Sequence, residues 1–289
     1  MMDFGKVLTA MVTPFDANGQ IDFAKTTKLI EYLLDNGSEG LVIGGTTGES
    51  PTLSTDEKMA LFRHTAKVVN NRVPVIAGTG SNHTEASMIL TKAAEESGAD
   101  GVMLVVPYYN KPNQEGLFRH FKAVAKETTL PVMLYNIPGR SAVNMNAETI
   151  IQLSKIDNIV SVKEASGDLE QVSDIIEHTA DDFRVYSGED SMTLPMLSLG
   201  ADGVVSVASH IAGKEMQQLV RAYQSGQVRR AASIHRRLLP VMNGLFAQPS
   251  PVPVKTALNM KGINVGSVRL PLVPLTDSES ETLKNLIQQ

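Results

Sequence analysis

Eight short apolar runs recur along the chain at intervals of about 25 to 30 residues, each followed by an amphipathic helical stretch. They are Val7–Val12, Gly40–Gly44, Val73–Ala77, Gly101–Val106, Pro131–Tyr135, Ile159–Lys163, Arg184–Ser187 and Gly203–Val207. Each is nearly continuous in Val, Ile, Leu and Met, the signature of a strand covered on both faces. An internal echo ties the repeats together. Gly37-Ser-Glu-Gly40, Gly98-Ala-Asp-Gly101 and Gly200-Ala-Asp-Gly203 each lead into a strand, with the first glycine suited to a left-handed helix cap. Eight strand–helix units predict a closed (β/α)₈ TIM barrel rather than an open doubly wound sheet. The fingerprint of the open sheet is absent: the nearest candidate, Gly78-Thr-Gly80, has His83 where a third glycine belongs.

The pattern changes after Ser225. Gln227–Phe246, Val254–Gly262 and Ser278–Gln289 read as helices without strands between them, and Pro249, Pro251 and Pro253 mark an extended elbow. The expectation is a catalytic barrel over 1–225 and a C-terminal helical appendage over 226–289. With 289 residues the chain is long enough to bury a large core. A net charge of -5 argues against a nucleic-acid binder. The absence of cysteine excludes disulfides, thiolate metal sites and a cysteine nucleophile. The opening MMDFGKVLTAMVTPF is interrupted by Asp3 and Lys6 and ended by Pro14, too short for a signal peptide or membrane span, so a cytoplasmic protein is expected.

Barrels of this kind carry their chemistry at the C-terminal strand ends. In Ile159-Val-Ser-Val-Lys163, alternation puts Ser161 and Lys163 on one face and Val160 and Val162 on the other. The outer face meets helices, so Lys163 is expected to point into the barrel mouth. An ordinary lysine is neutral in only about one molecule in 2,500 at pH 7. Burial there lowers its pKa and suits it to imine formation, while a rim ammonium is the plainer reading of the same position. Tyr135 ends the preceding strand, close enough to share that space, as a proton donor and acceptor or as an interior aromatic. The turn Gly44-Gly-Thr-Thr-Gly48 offers backbone N–H groups and two hydroxyls, a setting for a carboxylate or simply a tight turn. Arg140, after Pro138-Gly139, is either a carboxylate clamp or a solvated arginine. The six histidines form no metal-binding pattern, and no G-x-S-x-G elbow occurs.

Taken together, Gly44–Ser50 (GGTTGES), Pro107–Gly116 (PYYNKPNQEG), Tyr135–Ser141 (YNIPGRS), Val162–Asp168 (VKEASGD) and Tyr186–Asp190 (YSGED) resemble, in order and spacing, the 4-hydroxy-tetrahydrodipicolinate synthase family. The resemblance runs from Leu8 to Leu275, including the elbow that ends at Lys255. It implies that Lys163 forms an imine with pyruvate and that Tyr135 shuttles protons. Thr46 would link Tyr135 to Tyr109 in a relay, and Thr47 would bind the pyruvate carboxylate. Arg140 would meet the carboxylate of aspartate semialdehyde, the Val205 backbone would line the pyruvate side, and Gly188 with Ser187 would shape the far wall. No metal or diffusible cofactor is implied. Tyr109 would reach a neighbouring subunit's site, giving a homo-oligomer, a dimer or a tetramer. The lysine-inhibited branch of the family uses histidines and a glutamate where this chain has Thr55, Lys58 and Ala86, which implies weak or absent feedback inhibition by lysine.

Three other readings share parts of this pattern. A sister aldolase acting on a sugar acid, such as N-acetylneuraminate or a 2-keto-3-deoxy acid, would share barrel, lysine and tyrosine. The lyase acting on N-acetylneuraminate typically has Ser-Thr in place of Thr46-Thr47 and lacks an arginine matching Arg140. A non-catalytic barrel that binds a keto acid would have no reason to keep Lys163, Tyr135 and Thr46 together. A phosphate-binding barrel would use the loops after strands seven and eight, where Ser206-Val-Ala-Ser-His210 is not glycine-rich.

Overall fold

Eight parallel strands pair in sequence order and close, the first against the last. They are β1 (Val7–Ala10), β2 (Gly40–Ile43), β3 (Val75–Gly78), β4 (Gly101–Val105), β5 (Val132–Asn136), β6 (Ile159–Glu164), β7 (Arg184–Ser187) and β8 (Gly203–Ser206). The computed structural model describes residues 4–287. Asp3, expected to interrupt the apolar N-terminus, and the last two positions of the final expected helix lie outside the described residues. The expected TIM barrel is therefore the fold, and its strands agree with the apolar runs to within about two residues at each end.

The glycine echo has two separate causes. Gly37, Gly98 and Gly200 adopt φ of +96°, +83° and +108°, the left-handed conformation that ends each helix and turns it into a strand. The second glycine of each repeat answers to the N-terminal segment, which crosses the floor of the barrel. A Cβ on Gly40 would sit 2.8 Å from the Phe4 carbonyl oxygen, and one on Gly101 would sit 3.0 Å from the Phe4 ring. One on Gly203 would fall inside the van der Waals surface of the Lys6 carbonyl oxygen. Phe4 is 1% exposed and packs with Leu8, Ile76, Met103, Tyr186 and Val205 in the cluster that fills the interior.

Strand alternation fails at one place. Val132 and Met133 are consecutive on β5, yet their partners on β6 are Ile159 and Ser161, so Val160 is an extra residue in a β-bulge. Val162 faces the helical layer as expected, but Val160 packs against the interior cluster, contrary to the alternation that put both outside. The bulge lies below Ser161, so it leaves Lys163 opposite Tyr135 in the ladder.

The C-terminal helices are α10 (Val228–Gly244), α11 (Val252–Met260) and α12 (Asp277–Ile287), preceded by α9 (Ser209–Gln224), the last helix of the barrel layer. Helix α10 packs on α9, and α11 packs on both α9 and α12. The elbow is shorter than its three prolines suggest. Pro253 is in the first turn of α11, where a missing N–H goes unmissed, so only Pro249 and Pro251 belong to the connection. No helix among the described residues is long and apolar enough to cross a membrane.

The floor contacts predict a graded response. Gly203→Ala should lose about 3 kcal/mol or more in urea unfolding, since backbone must move to admit the methyl. Gly226→Ala, with a positive φ of +77° but nothing within 4 Å, should lose only about 1 kcal/mol. Equal losses would contradict the crowding argument.

Candidate active site

The upper end of the barrel is open, and the ladder places Tyr135 and Lys163 side by side there. Lys163 is 5% exposed, and its Nζ lies 4.1 Å from the centroid of the Tyr135 ring. Burial draws the amine down to a pKa of about 7, against a partial recovery from the Asp190 carboxylate and a further push from the Arg140 guanidinium. A ring face attracts an ammonium, but loss of water outweighs it. The Tyr135 phenol moves the other way. Burial pushes it up to about 12, opposed by Arg140 and by a hydrogen bond with the Thr46 side chain. Near neutrality the site thus holds an amine that is readily neutral beside a phenol that keeps its proton.

Room for the lysine stem comes from β7. A Cβ on Gly188 would lie 3.1 Å from both Cγ and Cε of Lys163 and 2.7 Å from the Ala165 Cβ. The Gly188 amide donates to the Glu164 carbonyl at 2.8 Å, which holds the turn against the lysine strand. Two residues on, Asp190 is 2% exposed and accepts from the Ser206 hydroxyl and the amides of Val207 and Ala208. Those donors stabilise a buried carboxylate whose charge reaches the amine, although burial raises its pKa. The family motif contained Asp190, yet nothing in the sequence marked it, because its donors come from the end of β8.

Behind the lysine, on the outer side of the strands, a polar network clamps β5 to β6. The Asn136 amide donates to the Glu164 carboxylate at 3.0 Å, Gln171 donates at 3.1 Å, and the Ser166 amide at 2.7 Å. Burial raises the Glu164 pKa, and these donors oppose it. This network was also missed, because Asn136 and Glu164 each read as an ordinary polar strand end.

A cleft of about 230 Å³ opens beside Tyr135, lined by Gly45, Thr46, Ser50, Tyr108, Tyr135 and Arg140 among others. Thr47 is buried at 6% beside Thr46 in the turn after β2. The Glu49 amide donates to the Thr46 carbonyl at 3.0 Å and the Ser50 amide to the Gly45 carbonyl at 3.2 Å. Arg140 sits on the short helix α5 (Pro138–Ser141) just after β5, exposed, and also borders a second groove with Gly188, Asp190, Met242 and Phe246. Val205 is buried in the barrel interior, 1% exposed, across from β1. Of the expected residues, Thr46, Tyr135 and Arg140 line the cleft, Gly188 and Arg140 line the groove, Lys163 stands beside Tyr135, and Thr47 and Val205 are buried outside both cavities. Tyr109 is 89% exposed, holds a left-handed φ of +73°, and is absent from the cleft that Tyr108 lines. His210, which follows β8, is held neutral by burial at a pKa of about 4. Its Nδ1 donates to the Val207 carbonyl at 2.8 Å and its Nε2 accepts from the Val12 amide at 3.2 Å.

Barrel and site define a class: a (β/α)₈ protein whose open end holds a desolvated lysine beside a protonated phenol. The chain belongs to the dihydrodipicolinate synthetase family, whose model matches residues 3–289. It is 61% identical over 289 residues to a 4-hydroxy-tetrahydrodipicolinate synthase of Bacillus subtilis, covering 100% of both chains. Among solved structures, a dihydrodipicolinate synthase of Bacillus anthracis superposes with a TM-score of 0.98 at 60% identity, covering 100% of this chain and 99% of that one. A DHDPS of Cyanidioschyzon merolae with lysine bound gives a TM-score of 0.97 at 46% identity, covering 99% of this chain and 97% of that one.

The depressed amine has a consequence for stability. In the unfolded chain Lys163 regains its ordinary pKa of 10.5, so between about 7 and 10.5 the unfolded state binds the extra proton and stability rises with pH. Below about 7 the burial cost is present in full. Lys163→Met, which leaves the three donors of Asp190 in place, should gain roughly 2 kcal/mol or more at about pH 6, and progressively less toward pH 10. Thermal and urea unfolding across that range check it; a variant destabilised at low pH would contradict it.

Proposed function

We propose that this chain is a lyase that condenses pyruvate with L-aspartate 4-semialdehyde to give 4-hydroxy-tetrahydrodipicolinate, in lysine and diaminopimelate biosynthesis. The observation that carries the mechanism is the Lys163 amine, buried over the Tyr135 ring with a pKa of about 7. As a neutral amine it attacks the ketone carbon of pyruvate and, with loss of one water, forms an imine. A methyl proton then leaves to give an enamine. The enamine carbon attacks the aldehyde carbon, forming the new C–C bond, and the aldehyde oxygen takes up a proton. The substrate's own amino group displaces Lys163 from the imine carbon, closing the ring and freeing the enzyme. Every step moves a proton, and Tyr135, protonated up to about 12, is the group beside the amine that donates and recovers it.

Thr46 is hydrogen-bonded to Tyr135 and orients the phenol in this reading. Thr47 and the turn around it take the pyruvate carboxylate, and Arg140 takes the carboxylate of the aldehyde. Val205 and Gly188 bound the space for the three-carbon adduct. The reaction requires no metal or organic cofactor. Tyr109 completes the relay in another copy of the chain, and its exposure supports a homo-oligomer, a dimer or a tetramer. The same reading divides the chain into a catalytic barrel (1–225) and a C-terminal helical unit (226–289) and places the enzyme in the cytoplasm.

Incubation with pyruvate and borohydride, followed by peptide mass mapping, tests the chemistry. A reduced pyruvate adduct on the peptide holding Lys163 is expected, with a trapping rate that rises with pH through about 7 as the amine loses its proton. Tyr135→Phe should lower kcat on the order of 10²- to 10⁴-fold. No adduct, or an adduct on another lysine, would contradict the assignment.

A further inference from the structure

A second buried lysine takes no part in the chemistry above. Lys255, in the first half of α11, is 2% exposed and donates to Glu49 Oε1 at 2.7 Å and to the Ser267 carbonyl at 2.7 Å. Its Nζ also lies 4.1 Å from the Phe15 ring centroid. Glu49, also 2% exposed, is engaged on its other oxygen by the Arg269 amide at 2.9 Å. The Arg269 guanidinium packs on the same Phe15 ring at 4.4 Å and reaches Glu57, the Thr52 carbonyl and the Gly19 carbonyl. The ion pair is thus dry, satisfied on both sides, and formed between residues 206 positions apart.

The location of Glu49 gives the pair its significance. It directly follows the Gly44–Gly48 turn, holds a left-handed φ of +57°, and its amide fixes the Thr46 carbonyl. A left-handed glutamate persists only where its surroundings over-determine it. Besides the turn's own hydrogen bonds, the anchors are the Thr13 hydroxyl on the Gly48 carbonyl at 2.7 Å and, on Glu49, the Lys255 ammonium and the Arg269 backbone amide. The amides of Thr46 and Thr47 donate to no acceptor among the described residues, and Thr46 lines the cleft.

We propose that Lys255 is a positioning residue: through its buried ion pair with Glu49, the C-terminal helical region sets the geometry of the Thr46–Thr47 turn that receives the pyruvate carboxylate. This rests on the reading of that turn given above. Losing the ammonium would leave a buried carboxylate without its counter-charge, held by the Arg269 amide alone, and Glu49 would leave its site and carry the turn with it. The Lys163–Tyr135 pair, on β5 and β6, would stay intact. The signature is therefore weaker pyruvate capture with the amine chemistry preserved.

Borohydride trapping as a function of pyruvate concentration separates these effects in the full-length chain. Wild type should trap pyruvate on Lys163. Lys255→Met should need roughly 10- to 100-fold more pyruvate for half-maximal trapping, the cost of a small misplacement, yet reach the same adduct yield at saturation. Glu49→Gln serves if Lys255→Met does not fold. Its one carbonyl oxygen can accept from Lys255 or from the Arg269 N–H but not from both, and its NH2 then faces the other donor, so it should shift half-saturation in the same direction. A folded Lys255→Met or Glu49→Gln with unchanged half-saturation would overturn the positioning role, whatever its loss of thermal stability. Absence of trapping in wild type would instead remove the reading of the site itself, and the proposal with it.

Discussion

Withdrawing one amine from water is the constraint around which the mouth of this barrel is arranged. A lysine in solvent is a cation at any physiological pH and is useless as a nucleophile toward a ketone. Lys163 escapes that fate because β6 aims it inward, Gly188 leaves room for its stem, and the Tyr135 ring covers its nitrogen. The arrangement opposes stability at neutral pH, and the strand-end network of Asn136, Glu164 and Gln171 holds the two strands in register against it. Asp190 limits how far the amine falls, which keeps its pKa close to the pH at which it works.

Much of this was legible in the chain itself, for physical reasons that differ by residue. The barrel could be read because eight buried strands need eight apolar runs, and because one helix-to-strand turn recurs with its glycine. The inward direction of Lys163 followed from alternation, which survived because the bulge lies three residues earlier, at Val160. The roles of Thr46, Thr47 and Arg140 came only with the family resemblance; position alone left each beside a plainer reading. Asp190 and the Asn136–Glu164–Gln171 network stayed hidden because their partners are supplied by other strands and helices. The pairing of Glu49 with Lys255 was hidden most completely, since a contact across 206 positions has no local signal. The elbow was misjudged at Pro253 for a simpler reason: proline in a first helical turn and proline in an extended link look alike in sequence.

The two ends of the barrel crowd their glycines against different partners. At the floor, Phe4 and the Lys6 carbonyl press against Gly40, Gly101 and Gly203, and a Cβ on any of these would meet the N-terminal segment. At the mouth, Gly44, Gly45, Gly80 and Gly188 line the cleft and the groove, where a Cβ on Gly44 would lie 2.9 Å from Phe62 Cε1 and one on Gly188 3.1 Å from the Lys163 stem. Glycine serves close packing at both ends, against the N-terminal segment below and among the strand-end loops and the Lys163 stem above. The C-terminal region contributes to the second end, through Met242 and Phe246 in the groove beside Arg140 and through Lys255 and the Arg269 amide on Glu49.

The proton affinity of the Lys163 amine in the resting protein is the quantity on which the account stands. Carbon-13 labelling at the lysine ε position, with the Lys163 signal assigned by its loss in a Lys163 variant, lets that amine be titrated by NMR without substrate. An inflection at a pH of about 7 is what the account requires. An inflection near the ordinary 10.5 would mean that the nitrogen is solvated and charged in the folded protein, and the imine chemistry built on it would not stand.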